Sequence, residues 1–434
     1  MLIYTYFGFA YFRYQEERKK EKILNVMFGL MIFMHLINHV VIYLNTNNIK
    51  IFILYGSELL MLMFLAIVYR WVYPKINELV LQHMMMLLTI GFVFLGRLTY
   101  QGAIRHIIFV GIGIVSGLIV PFIIERFKKL INLSYLIAAI GILLLGAVLL
   151  LGKEINGAKN WLVIGGYIKI QPSEFVKLCF VFSMAGLLSK VESFKQVVIV
   201  SAIAATHVLI LVLETDLGGA LIFFITYIIM LVVATRKRIY LFAGLGAGAL
   251  ASVVAYHLFS HVRVRVLAFV DPWSYIDSQG YQVAQALFAI GTGGWLGLGL
   301  TQGLPSSIPV VTSDFIFAAI SEEMGAIYAI CLILICMSCF IMIVNIAMKL
   351  KDPYYKLIAL GFGVMYAVQV FLNIGGVTKM IPSTGVTLPL ISSGGSSMLM
   401  TIVMFNVIQG LYLLNEKNNL NRRKEKKSSV VNRG

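Results

Sequence analysis

The stretch VTSDFIFAAISEEMG, residues 311–325, places three carboxylates, Asp314, Glu322 and Glu323, at the mouth of a long apolar run. A carboxylate at such a mouth can take a proton from a hydroxyl arriving from outside, which is general-base chemistry. On a helix, Asp314 and Glu322 stand about 12 Å apart along the axis and about 80° apart around it, and Glu323 stands about 180° from Asp314. The three therefore do not form one carboxylate pair. Asp314 is the candidate base, where a substrate can reach it. Glu322 and Glu323, two turns further on, read as structural or tuning groups, and at least one of them calls for a buried partner, Lys177 or an arginine.

Other polar groups collect at similar boundaries. QPSEFVKL, residues 171–178, sets Pro172 in the first turn of a helix with Ser173 and Glu174 beside it, a favourable helix start. Glu174 and Lys177 are three residues apart and can pair. ETDLGG puts Glu214 and Asp216 at another boundary, with Asp216 near a helix N-terminus, and HVRVRVLAFVDPW adds Arg263, Arg265 and Asp271. Taken singly, these groups read as helix caps, buried ion pairs or interface anchors. Arg263 and Arg265 can equally hold a phosphate as planar multi-donor groups. Ionisable groups near membrane depth are costly and point to function, and a site that binds a pyrophosphate while abstracting a proton needs this mixture of cations and carboxylates. A divalent cation, Mg²⁺ or Mn²⁺, at Glu174 or Asp216 is compatible with the acids, but no His/Asp spacing identifies a metal site.

The elements that position these groups are helices. Of the 434 residues 60% are hydrophobic and only 12% charged, and apolar runs of about 18 or more residues recur, each long enough to cross a hydrocarbon layer of about 30 Å. A lipid-exposed backbone must satisfy its own hydrogen bonds, and the runs lack the alternation of a membrane barrel. Helices are expected at about 23–44, 51–73, 79–98, 106–124, 133–152, 173–190, 196–213, 217–235, 239–259, 314–348, 355–377 and 388–414, roughly twelve spans. LIYTYFGFAYF, residues 2–12, is short for a span and reads as a clipped helix or an interfacial anchor.

The formal net charge of +16 raises the question of nucleic acid. The basic residues, however, lie in short segments between or after the apolar runs (ERKKEK, ERFKK, TRKR, KLKD, NRRKEKK), the positive-inside pattern of a multi-pass membrane protein and not a nucleic-acid face. With those loops cytoplasmic, residues 153–172, 214–216, 260–313 and 378–387 fall outside and the C-terminus inside. The basic tail, 415–434, reads as solvated and disordered, with anionic lipid or a cytoplasmic partner as the alternative reading. In the long loop of about 260–313, GYQVAQALFAI looks like a short amphipathic helix lying on the membrane or re-entering it. The glycine-rich GTGGWLGLGLTQG, residues 291–303, reads as close packing and tight turning, since no strand precedes it and no Gly-Lys-Ser/Thr follows. Cys179, Cys331, Cys336 and Cys339 all fall in apolar runs and read as packed thiols.

NGAKNW, QPSEFVKL, DLGGA, LAFVDPW, GYQVAQALFAIGTGGWLGLG, TSDFIFAAISEEMG and NIGGVTKMIPSTGVTLPLISSGGSS resemble, in order and spacing, the SEDS family (FtsW, RodA, SpoVE) over about residues 79–414. The resemblance implies an all-α polytopic membrane protein with a ten-helix SEDS core, a large extracytoplasmic loop and about two extra N-terminal membrane helices in residues 1–78. It implies an inverting peptidoglycan glycosyltransferase of the bacterial cytoplasmic membrane that polymerises lipid II, serving cell division, elongation or sporulation, beside a class B penicillin-binding protein. Asp314 occupies the aspartate position of the family's H-T-D-F-I-F motif. In that role it deprotonates the acceptor 4-hydroxyl, which attacks the anomeric carbon of the undecaprenyl-linked glycan, and undecaprenyl pyrophosphate leaves. Arg263, Arg265, Lys177, Glu174, Asp216 and Ser313 are the implied substrate-binding set.

The chain departs from the family pattern at Thr312 and Ser313 (usually His and Thr), at Ser321 (usually Gly) and at Ser393 (usually Tyr). TGVTLPLIS leans toward FtsW and SpoVE. Two other classes remain: a transporter or flippase of a lipid-linked precursor, which would show internal repeats and broken helices, and a non-catalytic scaffold for a transpeptidase.

Overall fold

The apolar runs close their own backbone hydrogen bonds, and a computed structural model shows them as helices. It describes residues 1–155, 158–164 and 168–431; Asn156 and Gly157 of NGAKNW lie outside the described residues. Fifteen α-helices occur among the described residues: α1 Leu2–Arg13, α2 Glu17–Thr46, α3 Lys50–Val72, α4 Glu78–Leu98, α5 Tyr100–Ile123, α6 Ser134–Leu151, α7 Pro172–Leu188, α8 Phe194–Leu213, α9 Leu217–Thr235, α10 Ile239–Leu258, α11 Ser260–Val270, α12 Tyr281–Gly293, α13 Ile316–Lys349, α14 Pro353–Val377 and α15 Gly395–Val431. The twelve expected spans are α2–α10 and α13–α15. Eleven described helices are long and apolar enough to cross a membrane, and α7, with 17 residues, completes the twelve. The molecule is an all-α, multi-pass membrane protein.

Helix α4 is the centre of the packing: every residue from Leu79 to Leu95 is buried, with α2, α3, α5 and α13 around it. Helix α10 is its opposite, with Gly244 its single buried residue, a peripheral helix with apolar side chains all round. Helix α1 is a short helix with one face against the bundle and Leu2, Ile3 and Tyr6 exposed. Tyr4 is fully buried and donates its hydroxyl hydrogen to the Gln82 carbonyl at 3.1 Å, so α1 packs into the bundle.

Three features differ from the expectation. Three short strands, β1 Lys153–Ile155, β2 Ala158–Ile164 and β3 Ile168–Ile170, form an antiparallel sheet, with Lys153 opposite Trp161 and Leu162 opposite Ile170. The β-branched and aromatic residues of WLVI and IKI favour a pleated, half-buried surface. The described part of the tail is helical, because α15 continues to Val431. Residues 415–431 contain no Gly or Pro to stop the helix, and the span before them supplies its nucleus.

Third, α13 is broken. Gly325 has φ +79° inside it, and the glycine-rich segment after α12 runs into the gap. Leu298 and Gly299 donate backbone hydrogen bonds to the carbonyls of Glu322 and Glu323, at 3.0 and 2.9 Å, and Ala326 donates to Gly294 at 2.8 Å. The break thereby has its freed backbone groups satisfied by protein, as non-helical backbone at membrane depth requires. A Cβ on Gly297 would meet the Glu323 carbonyl oxygen at 2.3 Å, which is why glycine stands there. The close-packing reading of 291–303 holds.

Candidate active site

Asp314 lies in the turn just before α13, and three partners fix that turn. Asn373 of α14 donates its amide hydrogens to the Asp314 carbonyl at 2.8 Å and to the Val386 carbonyl at 2.7 Å. The Ser392 hydroxyl donates to the Ser313 carbonyl, and the Ser393 N–H donates to the Thr312 carbonyl at 2.8 Å. The segment 378–394 is thus sewn to the aspartate turn. The contact at Ser393 is made by its backbone, so the departure from tyrosine there leaves it intact.

The aspartate opens into a cavity of about 340 Å³ lined by the sheet (Asn160, Trp161), Asp216, Arg265 of α11, Gln279 and Gln282, Ser313, and the serine-rich loop before and at the start of α15. Gly385, at φ +72°, passes between the two principal charges: a Cβ on it would stand 3.6 Å from Asp314 Oδ2 and 3.8 Å from Arg265 Nη2. Arg265 is fixed by donating to the Ser383 carbonyl at 3.2 Å. Burial raises the Asp314 pKa above the ordinary carboxylate value, with the Ser313 hydroxyl and the Arg265 guanidinium pulling it down and Asp216 adding to the rise. Burial lowers that of Arg265, against the charges of Asp216 and Asp314.

Asp216 is both cap and cavity wall. Its Oδ1 accepts from the Gly219 N–H at 2.8 Å at the start of α9, and its Oδ2 accepts from Asn160 and Gln171 at 3.1 and 3.3 Å. Glu214, two residues earlier, is fully buried with neither carboxylate oxygen hydrogen-bonded. Burial, and then the neighbouring Asp216 charge, push its pKa up to about 8, so it is protonated at neutral pH.

The remaining expected residues divide. Glu174 and Lys177 pair at 2.8 and 2.9 Å, and Lys177 also donates to Gln369 at 3.0 Å. They line a small adjoining pocket that shares Asp216, Gln171, Gly385 and Thr387 with the main one. Arg263 does not join Arg265 in the cleft. It is exposed and outside the lining, because residues two apart on a helix point about 200° from each other. Glu322 accepts from the Leu304 N–H at 3.0 Å and Glu323 meets Arg97 at 3.1 Å, so both brace the 298–304 segment. The expected basic partner is Arg97, half-buried, from α4.

The carboxylates proposed for a cation are already engaged, Glu174 by Lys177 and Asp216 by three N–H donors. Among the described residues, the one grouping of three metal-capable side chains is elsewhere: His35, His39 and Glu58. His35 and His39 are four apart on one face of a span, a spacing visible in the sequence and passed over there.

Fold and cleft define a class: a multi-pass, all-α membrane protein whose polar cavity at one end of the bundle is lined by both a carboxylate and an arginine. Comparison with known proteins places it. The chain belongs to the FtsW/RodA/SpoVE family of cell cycle proteins, whose family pattern matches residues 77–416. It is 31% identical over 333 residues to the peptidoglycan glycosyltransferase RodA of Mycobacterium tuberculosis, covering 72% of this chain and 71% of that one. It is 33% identical over 344 residues to the probable peptidoglycan glycosyltransferase FtsW of Aliivibrio salmonicida, covering 76% and 85%. Among solved structures it resembles a chain of a peptidoglycan synthase complex described as coordinating polymerization and crosslinking, with TM-score 0.69, 26% identity and coverage of 80% and 99%. Relatives carrying the RodA and FtsW names match at similar identity, so the lean toward FtsW finds no support.

Proposed function

We propose that this chain is a peptidoglycan glycosyltransferase that polymerises lipid II, with Asp314 as the general base. The observation that carries the reading is the position of Asp314: in a polar cavity of about 340 Å³, beside Arg265, at the point the family motif assigns to the reacting carboxylate. The Asp314 carboxylate takes the proton of the acceptor sugar's 4-hydroxyl. The oxygen attacks the donor's anomeric carbon from the face opposite the pyrophosphate, the C1–O bond to undecaprenyl pyrophosphate breaks, and the configuration inverts. Arg265 stabilises charge on the departing diphosphate. Asp216 and Ser313 shape the wall, and the Glu174–Lys177 pair lines the small pocket that adjoins Asp216. Arg263 is left without a part in the cleft.

The distribution of basic loops supports a cleft on the outer face of the cytoplasmic membrane and a cytoplasmic C-terminus. In this reading residues 79–414 form the catalytic core, 1–78 an added module and 415–434 an inner tail, helical as far as Val431. A class B penicillin-binding protein is the proposed partner, supported by the likeness to a polymerizing and crosslinking complex.

The test is polymerisation of lipid II by the purified chain, with its partner where needed. Asp314→Asn should lower the rate by about 10²–10⁴-fold, with the elution profile and melting temperature of the parent. Polymer made at the parental rate by that variant overturns the assignment of the base. Transfer of labelled lipid II across vesicles by the parent without polymer overturns the enzyme reading in favour of transport.

A further inference from the structure

We infer that α2 and α3 hold a divalent first-row transition-metal ion, ligated by His35, His39 and Glu58. These residues lie before residue 77, outside the family match, and have no part in the proposed reaction. All three side chains are buried, at 0–2% exposure. His39 and Glu58 each lie about two turns in from the α2–α3 connection, so the group sits at one level inside two apolar spans. Their ligand atoms all fall within 4.8 Å of one another, and Tyr55 closes one side, its ring centroid 5.0 and 5.4 Å from the two imidazoles.

The hydrogen bonding argues for a cation. His39 Nδ1 faces the His35 carbonyl at 2.9 Å, a contact in which the nitrogen must donate. In the neutral ring Nε2 is then a bare lone pair, yet it stands 3.0 Å from Glu58 Oε2, itself a lone-pair atom. His35 Nε2 meets the same oxygen at 2.9 Å, while Glu58 Oε1 and His35 Nδ1 are buried with no partner. Two lone pairs turned on each other in an apolar interior repel unless a cation or a shared proton lies between them. Metal–ligand bonds of about 2.0–2.2 Å from two imidazoles and a carboxylate supply that charge and engage Nε2. The donor set suits zinc and its neighbours over Mg²⁺ or Ca²⁺, which prefer oxygen.

The experiment uses the full-length chain in detergent with any affinity tag removed, titrated with Zn²⁺ and with Co²⁺. The parent should bind about one Zn²⁺ per chain, and Co²⁺ should give visible ligand-field absorption; a large excess of Mg²⁺ should displace neither. Glu58→Gln, and separately the double variant His35→Gln with His39→Gln, should bind Zn²⁺ about tenfold more weakly or worse and lose the rise in melting temperature that Zn²⁺ gives the parent. A parent that binds Zn²⁺ no better than Glu58→Gln, or that shows no cobalt bands, overturns the inference; a proton on His39 then holds it to Glu58. The cobalt spectrum is read on the parent alone, so a poorly folded variant does not blunt the test.

Discussion

As the proposed base, Asp314 would act only as the carboxylate, so the rate should fall as pH drops through its pKa. Burial raises that value above 3.8, and Arg265 opposes the rise. The acid limb of kcat/KM for polymerisation should therefore stand above the ordinary carboxylate range, and Arg265→Ala should carry it to higher pH while lowering the rate by about 10²–10³-fold. An acid limb unmoved in Arg265→Ala would detach the arginine from the base. Arg263→Ala should change the rate by no more than about twofold, as for an exposed site. A larger loss there than at Arg265 would reverse the assignment of helix faces. Asp314 was legible because its motif is local. The groups that fix it were not: Asn373 acts across 59 positions and Ser392 across 79; nor was the partner of Glu323, since Arg97 reaches it across 226. The arginines were read as a pair because they alternate, and α11 puts alternate residues on different faces.

At the scale of elements, the apolar runs announced nearly every span, since length and hydropathy are properties of the segment itself. What the runs concealed was the break in α13: ISEEMGAIYAI reads as one helix, and its interruption depends on a segment from before the aspartate turn lying against it. Gly297 is the test of that arrangement. Gly297→Ala would set a methyl group 2.3 Å from the Glu323 carbonyl oxygen at φ +85°, an overpacking and backbone conflict that costs about 1–3 kcal/mol. The variant should melt at a lower temperature in detergent, whereas Gly291→Ala, with nothing within 4 Å of the added methyl, should melt with the parent. Equal melting of the two variants would mean that the glycine-rich segment does not enter the break. The sheet of β1, β2 and β3 was missed for the opposite reason: three short strands carry too little alternation to stand out between two spans, and they pair only with one another.

At the scale of the whole molecule, the segment before the family match, a proposed added module, and the matched segment are distinguishable by what each contributes. Helices α1–α3 precede the family match at residue 77, and they cover α4, which has no exposed residue between Leu79 and Leu95. Tyr4 bonds to Gln82, and Gly8 passes close to His83, which itself bonds to Ser338 of α13 at 2.9 Å, so the module is packed onto the core through polar contacts as well as apolar ones. None of its residues lines the cavity, whose first lining residue in chain order is Asn160. Removing residues 1–76 should therefore separate stability from catalysis. The shortened chain should melt at a lower temperature, because α4 loses packed neighbours and the buried Gln82 and His83 lose their cover, yet its elution as a single species should be accompanied by lipid II polymerisation within about tenfold of the parent. That ceiling, about 1.4 kcal/mol in the barrier, is the most that looser support of the bundle around an intact cleft should cost. A well-folded shortened chain with no polymerase activity would mean that the module acts on the cleft through α4 and α13, the two helices that bear Arg97 and the aspartate turn.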